Sequence, residues 1–180
     1  MPDFSSHFAG YLPGLTPHPA PAFPVLVQAR HDDVHHLAVL QTGIRGGTVS
    51  QWADRIARTV DGERSAVVLA RVDGELAGYA NVALLPENPD DGAPSGYYLT
   101  GVTVAVRWRR RGIGKSLTRW RMAWAWQRAS EVWCFVSAQN RASLDLHDAL
   151  GFAEVRRADR LQGVSFDCGE GVLLRAHPPR

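Results

Sequence analysis

Two hydrophobic rhythms alternate along the chain. "VLVQAR" (residues 25–30) is a short β-rich run and reads as a strand. "DDVHHLAVLQTG" follows, with Asp32 or Asp33 in capping position and Gly43 as the stop, and reads as a helix. In "TVSQWADRIARTV" Trp52, Ile56 and Val60 recur at four-residue spacing, which predicts a second helix with one apolar face. "SAVVLARVDGELAGYANVALL" holds two β-rich runs about Asp73-Gly74 and predicts a hairpin. "YYLTGVTVAV" (97–106) is a further strand, and "KSLTRWRMAWAWQRAS" a helix with Leu117, Trp120 or Arg121, and Trp124 along one side. "EVWCFVSA" (131–138) reads as a buried strand and "RASLDLHDAL" as a short helix stopped by Gly151. "FAEVRRA" and "GVLLRA" are the last strands. The alternation predicts an α/β or α+β domain, a mixed sheet flanked by helices.

Before the first strand the rhythm is lost. Pro2, Pro13, Pro17, Pro19, Pro21 and Pro24 make residues 1–24 an irregular arm, with Phe4, Phe8, Tyr11 and Leu15 as anchors to the domain or to a second subunit. Residues 25–180 then form one domain, and 180 residues leave room for a full core. The arm lacks the basic start and apolar centre of a signal peptide, and no apolar run reaches membrane-span length. Two cysteines, with Cys134 in an apolar strand, suggest neither a disulfide framework nor a metal site. A reducing cytoplasm is therefore expected. The arm and the tryptophans, read as exposed, point to a homodimer.

Charge changes the picture only locally. The net charge is +2, too small for a typical nucleic-acid binder. Yet "RWRRRGIGK" (residues 107–115) gathers four arginines and a lysine about Gly112 and Gly114. The order is strand, arginine turn, glycines, helix. A helix start exposes unpaired N–H groups at the positive end of its dipole, and glycines let an anion reach the backbone. Three readings compete: a solvated turn, a nucleic-acid patch and a phosphate cradle. Exposed aromatics and a known nucleic-acid module are missing, which weakens the second. The spacing is neither GxGxxG nor GxxxxGK[ST], so a phosphate-bearing cofactor held by a different turn fits best.

The stretch "VAVRWRRRGIGKSLT" resembles the acetyl-coenzyme A motif of the GNAT superfamily of N-acetyltransferases, Gln or Arg, two residues, Gly, one residue, Gly or Ala. Arg109, Gly112 and Gly114 occupy its defined positions, with Val104 and Trp108 in the upstream rhythm. "NRASLDLHDALGF" resembles a second family stretch through Asn140, Ser143, Leu146, Gly151 and Phe152. The resemblance covers roughly residues 25–176 and implies a mostly antiparallel sheet in which strands 97–106 and 131–138 form a splayed parallel pair. It implies acetyl-coenzyme A as cofactor, its pyrophosphate held by Arg109, Arg110, Arg111, Gly112, Ile113, Gly114, Lys115 and Ser116. Val102, Thr103 and Val104 would line the pantetheine arm, and Asn140 and Ser143 would contact it or brace it. The Val102 N–H would face the acetyl carbonyl oxygen.

The family's usual tyrosine, which protonates the leaving sulfur, is replaced by His147. Histidine can donate a proton near neutral pH, so either the role survives or His147 only packs against the cofactor. The strand before the turn offers no carboxylate as base. A water relay ending on Glu87, Asp90, Asp91, Asp167 or Glu170 is the remaining route. Glu87, Asp90, Asp91, Tyr98, Asp167 and Glu170 are the candidate acceptor contacts, and their charge suits a small cationic amine. The segments "GVSFDCGEGVLLRA" and "LTGVTV" are similar to aminoglycoside-type members, among them those acting on kasugamycin, and so suggest antibiotic resistance. A protein or peptide acceptor and a non-catalytic acetyl-coenzyme A-binding module are the alternatives. "HDDVHH" (31–36) has metal-ligand residue types but no supporting cluster, so no metal is expected; nor is a nucleic-acid or membrane partner.

Overall fold

The computed structural model describes residues 21–179. The predicted anchors Phe4, Phe8, Tyr11 and Leu15 lie outside them. Tertiary contacts divide the chain into two units, one of residues 14–83 and 100–122, the other holding 84–99 and 123–180. Strand β4 (Gly96–Val104) contributes to both.

In the first unit β1 (Val25–Gln28), β2 (Ser65–Val72) and β3 (Glu75–Leu85) are antiparallel neighbours, and β4 follows β3 in the sheet. The hairpin turns on Asp73 (φ 51°) and Gly74 (φ 81°), two left-handed residues, as the tight hairpin turn requires. β2 is apolar from Ala66 to Ala70 because both of its faces are covered. Val67 and Leu69 pack with Leu37 and Ala38 of α1 (Val34–Arg45) and Ile56 of α2 (Val49–Val60). Val68 and Ala70 pack on the other side with Ile113 and Leu117 of α3 (Ile113–Trp126). Thr48 and Gln51 form a capping box that starts α2. Helix α1 does not stop at Gly43, as predicted, but at Gly46 (φ 72°). A glycine inside a helix weakens it by about 1 kcal/mol without ending it.

In the second unit β4 pairs in parallel with β5 (Val132–Ser137) through Tyr98 and Trp133. β5 then pairs antiparallel with β9 (Gly171–Ala176), and β9 with β6 (Ala153–Ala158). Tyr98, Trp133, Leu161, Phe166 and Leu173 form the core. Helix α4 (Arg141–Asp148) ends before Gly151 (φ 85°). A small hairpin absent from the sequence reading, β7 (Arg160–Leu161) and β8 (Val164–Ser165), turns on Gln162 and Gly163, both at positive φ. The expected mixed, mostly antiparallel sheet with one parallel pair is thus what the chain forms.

Candidate active site

β4 ends at Val104, two residues short of the predicted strand, because Val106–Trp108 turn as a 3-10 helix. The arginines that follow mostly organise the turn. Arg107 pairs with Glu75 at 2.7 Å. Arg109 Nε donates to the Val104 carbonyl at 3.2 Å. The Arg111 guanidinium lies 5.1 Å from the centre of the Trp108 ring. Arg110, at φ 63°, and Lys115 are exposed. Arg107, Arg109 and Arg111 are thus tied into the turn itself.

The glycines are the informative part. Gly112 has φ 87°, a backbone conformation that excludes most side chains. Gly114 has no such constraint, since it lies inside α3, and a Cβ added there would meet nothing within 4 Å. Neither the fold nor the packing of the free protein requires glycine at 114. A ligand pressed against the backbone would require it. Ser116 N–H donates to the Gly112 carbonyl at 3.0 Å, while the amides just before it belong to the first helical turn, which has no intrahelical acceptors. A bare, positively polarised backbone of this kind fits a pyrophosphate.

On β4, Thr103 is buried and its Oγ1 donates to Gln41 Oε1 at 2.6 Å, so this side chain braces the strand. Val102 and Val104 pack toward the α3 side. Just before Val102, the Gly101 carbonyl accepts from Arg121 Nη1 at 3.0 Å, and the Asn81 carbonyl of β3 accepts from the same atom at 3.1 Å. Arg121 is 2% exposed, and its Nη2 also reaches Thr118 Oγ1.

In the second unit Asn140 caps α4, its Oδ1 accepting from Ser143 N–H at 3.2 Å. His147 is buried, with its ring edge-on to Phe152 at 5.0 Å between centroids. Its Nδ1 lies 2.7 Å from the Ser143 carbonyl oxygen, which can only accept, so Nδ1 carries a hydrogen. The neutral ring therefore presents Nε2 as an acceptor, and donation from Nε2 requires the imidazolium.

The candidate acceptor contacts divide into structural and exposed groups. Tyr98 is fully buried, and its hydroxyl donates to the Pro94 carbonyl at 2.7 Å. Burial pushes its pKa up to about 12. Asp91 accepts from Ala93 N–H through Oδ1 and from Gly163 N–H through Oδ2, which pins one loop to the β7–β8 turn. Glu170 pairs with Arg157 at 3.0 Å. Glu87, Asp90 and Asp167 are exposed. Trp126 and the other tryptophans are buried or partly buried, not exposed as the dimer reading assumed. Among the described residues no group of three or more His, Cys, Asp and Glu could hold a metal ion; His31 instead faces Asp61 at 3.2 Å. No described helix is long and apolar enough to cross a membrane.

The model of the Acetyltransferase (GNAT) family matches residues 31–152. This chain belongs to the GNAT acetyltransferase family. It is 32% identical over 114 residues to the aminoglycoside N(6′)-acetyltransferase type 1 of Klebsiella aerogenes, a match covering 61% of this chain and 75% of that protein. In fold it is similar to a putative GNAT-family acetyltransferase from Bordetella pertussis, with TM-score 0.68, 20% identity, and 85% and 94% of the two chains covered. A GNAT-family acetyltransferase from Bacillus cereus is similar at TM-score 0.66 and 18% identity, over 88% and 99%.

Family members use acetyl-coenzyme A, and the turn at Gly112–Lys115 of this GNAT chain has the backbone such a cofactor needs. Sequence reasoning missed Gln41, Arg45, Asn81 and Arg121. Arg121 carried the clearest signal, a cation at a core position of an amphipathic helix. Asn81 carried one as well, as a lone amide within an apolar strand.

Proposed function

We propose that this chain moves the acetyl group of acetyl-coenzyme A to the amine of a small cationic molecule of the aminoglycoside aminosugar type, by direct attack with both substrates bound. The observation that supports the cofactor half of this reading is Gly114, a helical glycine at which an added Cβ would meet no protein atom, two residues after the left-handed Gly112. The acceptor half rests on the 32% identical aminoglycoside acetyltransferase and on the exposed carboxylates Glu87, Asp90 and Asp167. Within this reading residues 25–180 are the transferase domain and residues 1–24 its arm.

When bound, acetyl-coenzyme A supplies the acetyl group as a thioester. The amide groups from Arg111 to Lys115 would hold its pyrophosphate, and the backbone of Val104 would pair with its pantetheine amides. An aliphatic ammonium of pKa about 10.4 is neutral in only about one molecule in a few thousand at pH 7, so a proton must leave before attack. Water carries it toward Glu87, Asp90 or Asp167, since Asp91 and Glu170 are engaged in the protein. Attack would join the amine nitrogen to the carbonyl carbon of that thioester and would break its carbon–sulfur bond. The Val102 N–H stabilises the charge on the carbonyl oxygen. Arg121 keeps that amide in place through the Gly101 carbonyl. The departing sulfur would take a proton from Nε2 of His147 in its imidazolium form, and the second proton shed by the amine nitrogen would return to His147.

A thiol-release assay with acetyl-coenzyme A against aminoglycosides, polyamines, amino acids and peptides tests the reading. Release with aminoglycosides is expected. Release with peptides alone would move the acceptor to the protein class. No acceptor-dependent release at all, from folded protein, would overturn the reading.

A further inference from the structure

The last turns of α1 carry a row of polar side chains that the reaction described above does not use. Gln41 is buried, and its Oε1 accepts from Tyr79 Oη at 3.0 Å and from Thr103 Oγ1 at 2.6 Å. Arg45 lies four residues further along, so it continues the same row one turn beyond Gln41. Thr42, three residues before Arg45, shares that side of the helix.

Unlike Gln41, these two are not satisfied. Arg45 Nε and Thr42 Oγ1 are buried without a hydrogen-bond partner. Among the described residues Arg45 has no carboxylate at ion-pair distance. Burial is the main influence holding its pKa below the usual arginine value, and the positive charge of Arg109 acts in the same direction, against Tyr79. Arg109 is itself anchored through Nε on the Val104 carbonyl and, among the described residues, has no carboxylate at ion-pair distance. Gln41 is hydrogen-bonded to Thr103 and Arg109 to the carbonyl of the next residue, Val104, so the turn that carries Arg45 and Thr42 and the guanidinium of Arg109 meet the same end of β4. Tyr79 offsets part of the cost of that arrangement, and no described carboxylate offsets the rest.

We infer that Arg45 and Arg109, with the hydroxyl of Thr42, form a seat for an oxyanion, a phosphate or a carboxylate group. The guanidinium fork matches such oxygens with two parallel hydrogen bonds, and the anion neutralises both cations. Two ligands can bring that chemistry. One is the cofactor, because Arg109 stands three residues before Gly112. The other is an acceptor amine that bears a carboxylate. The choice between them rests on the proposed function, but the seat itself does not.

The test compares full-length wild type with Arg45→Gln, Arg45→Lys and Thr42→Val. Melting temperature is measured first. Arg45→Gln is expected to melt at or above wild type, because it removes a partly buried charge that has no described carboxylate partner. Calorimetry then follows inorganic pyrophosphate, coenzyme A and pantetheine, which lacks phosphate. A loss of about tenfold or more for pyrophosphate and coenzyme A in Arg45→Gln, a smaller loss in Arg45→Lys and unchanged pantetheine binding assign the seat to the cofactor. Unchanged coenzyme A binding with a KM about tenfold higher for a carboxylate-bearing amine, but not for its carboxamide, assigns it to the acceptor. If wild type binds no coenzyme A, the proposed function fails, yet pyrophosphate heat lost in Arg45→Gln still supports the seat. Equal binding and equal KM values in all variants overturn it, as does a fall in melting temperature with anion binding intact.

Discussion

Replacing Gly114 by alanine separates what the fold needs from what the ligand needs. In the free protein the new methyl group meets no atom within 4 Å, and the residue is already helical. Alanine in place of glycine inside a helix is worth about 0.5–1 kcal/mol. For a chain of this size that raises the melting temperature by about 1–4 °C. The same methyl group occupies the space that a diphosphate needs in order to reach the backbone N–H groups. Each charge-assisted hydrogen bond is worth about 1.5–3 kcal/mol, so losing one weakens coenzyme A by about tenfold or more. The expected outcome is a protein that melts higher and binds worse, read by scanning calorimetry and by titration with coenzyme A. Gly112→Ala is the control: its φ of 87° makes alanine cost about 1–2 kcal/mol, so this variant loses stability as well. A Gly114→Ala protein that binds coenzyme A within twofold of wild type refutes the cradle.

Three further changes probe the rest. Arg121→Met leaves the Asn81 and Gly101 carbonyls without their donor and is expected to cost about 2–5 kcal/mol in denaturant titration; a loss below about 1 kcal/mol contradicts the bracing role. Tyr98 titrates near 12 in the folded chain and near 10 when unfolded, so the unfolded state loses its proton first and stability falls as pH rises from about 10 to about 12. Tyr98→Phe removes that part of the fall, and identical alkaline profiles for the two proteins count against it. His147→Phe is expected to lower turnover, and to abolish the decline toward high pH that an imidazolium donor imposes. Turnover unchanged across pH 6–9 removes the acid role.

What could be read from the sequence was what depends on local chemistry. The Asp73-Gly74 turn was legible because tight hairpins need left-handed residues, and the glycine motif because few backbones tolerate φ 87°. The end of α1 was not, since Gly43 and Gly46 look alike in sequence and only the second leaves the helix. Tyr98 was named as an acceptor contact, yet its ring belongs to the core, in a strand whose Tyr97, Tyr98 and Leu99 are all buried. Asp91 looked like any loop acid, although its carboxylate accepts from Gly163, 72 residues away. Arg121 stood out as a cation on the apolar side of its helix, but its partners did not. The carbonyls that justify a cation in the core come from strands 20 and 40 residues earlier.

The Ala22 amide donates to the carbonyl of Arg111 at 3.0 Å, which ties the end of the proline-rich segment to the residue just before Gly112. An amide held in this way exchanges with solvent only when its bond opens. Deuterium uptake at Ala22 is therefore a built-in gauge of how firmly the main chain at Arg111 is set. Any occupant that stiffens the turn will slow that uptake without touching Ala22.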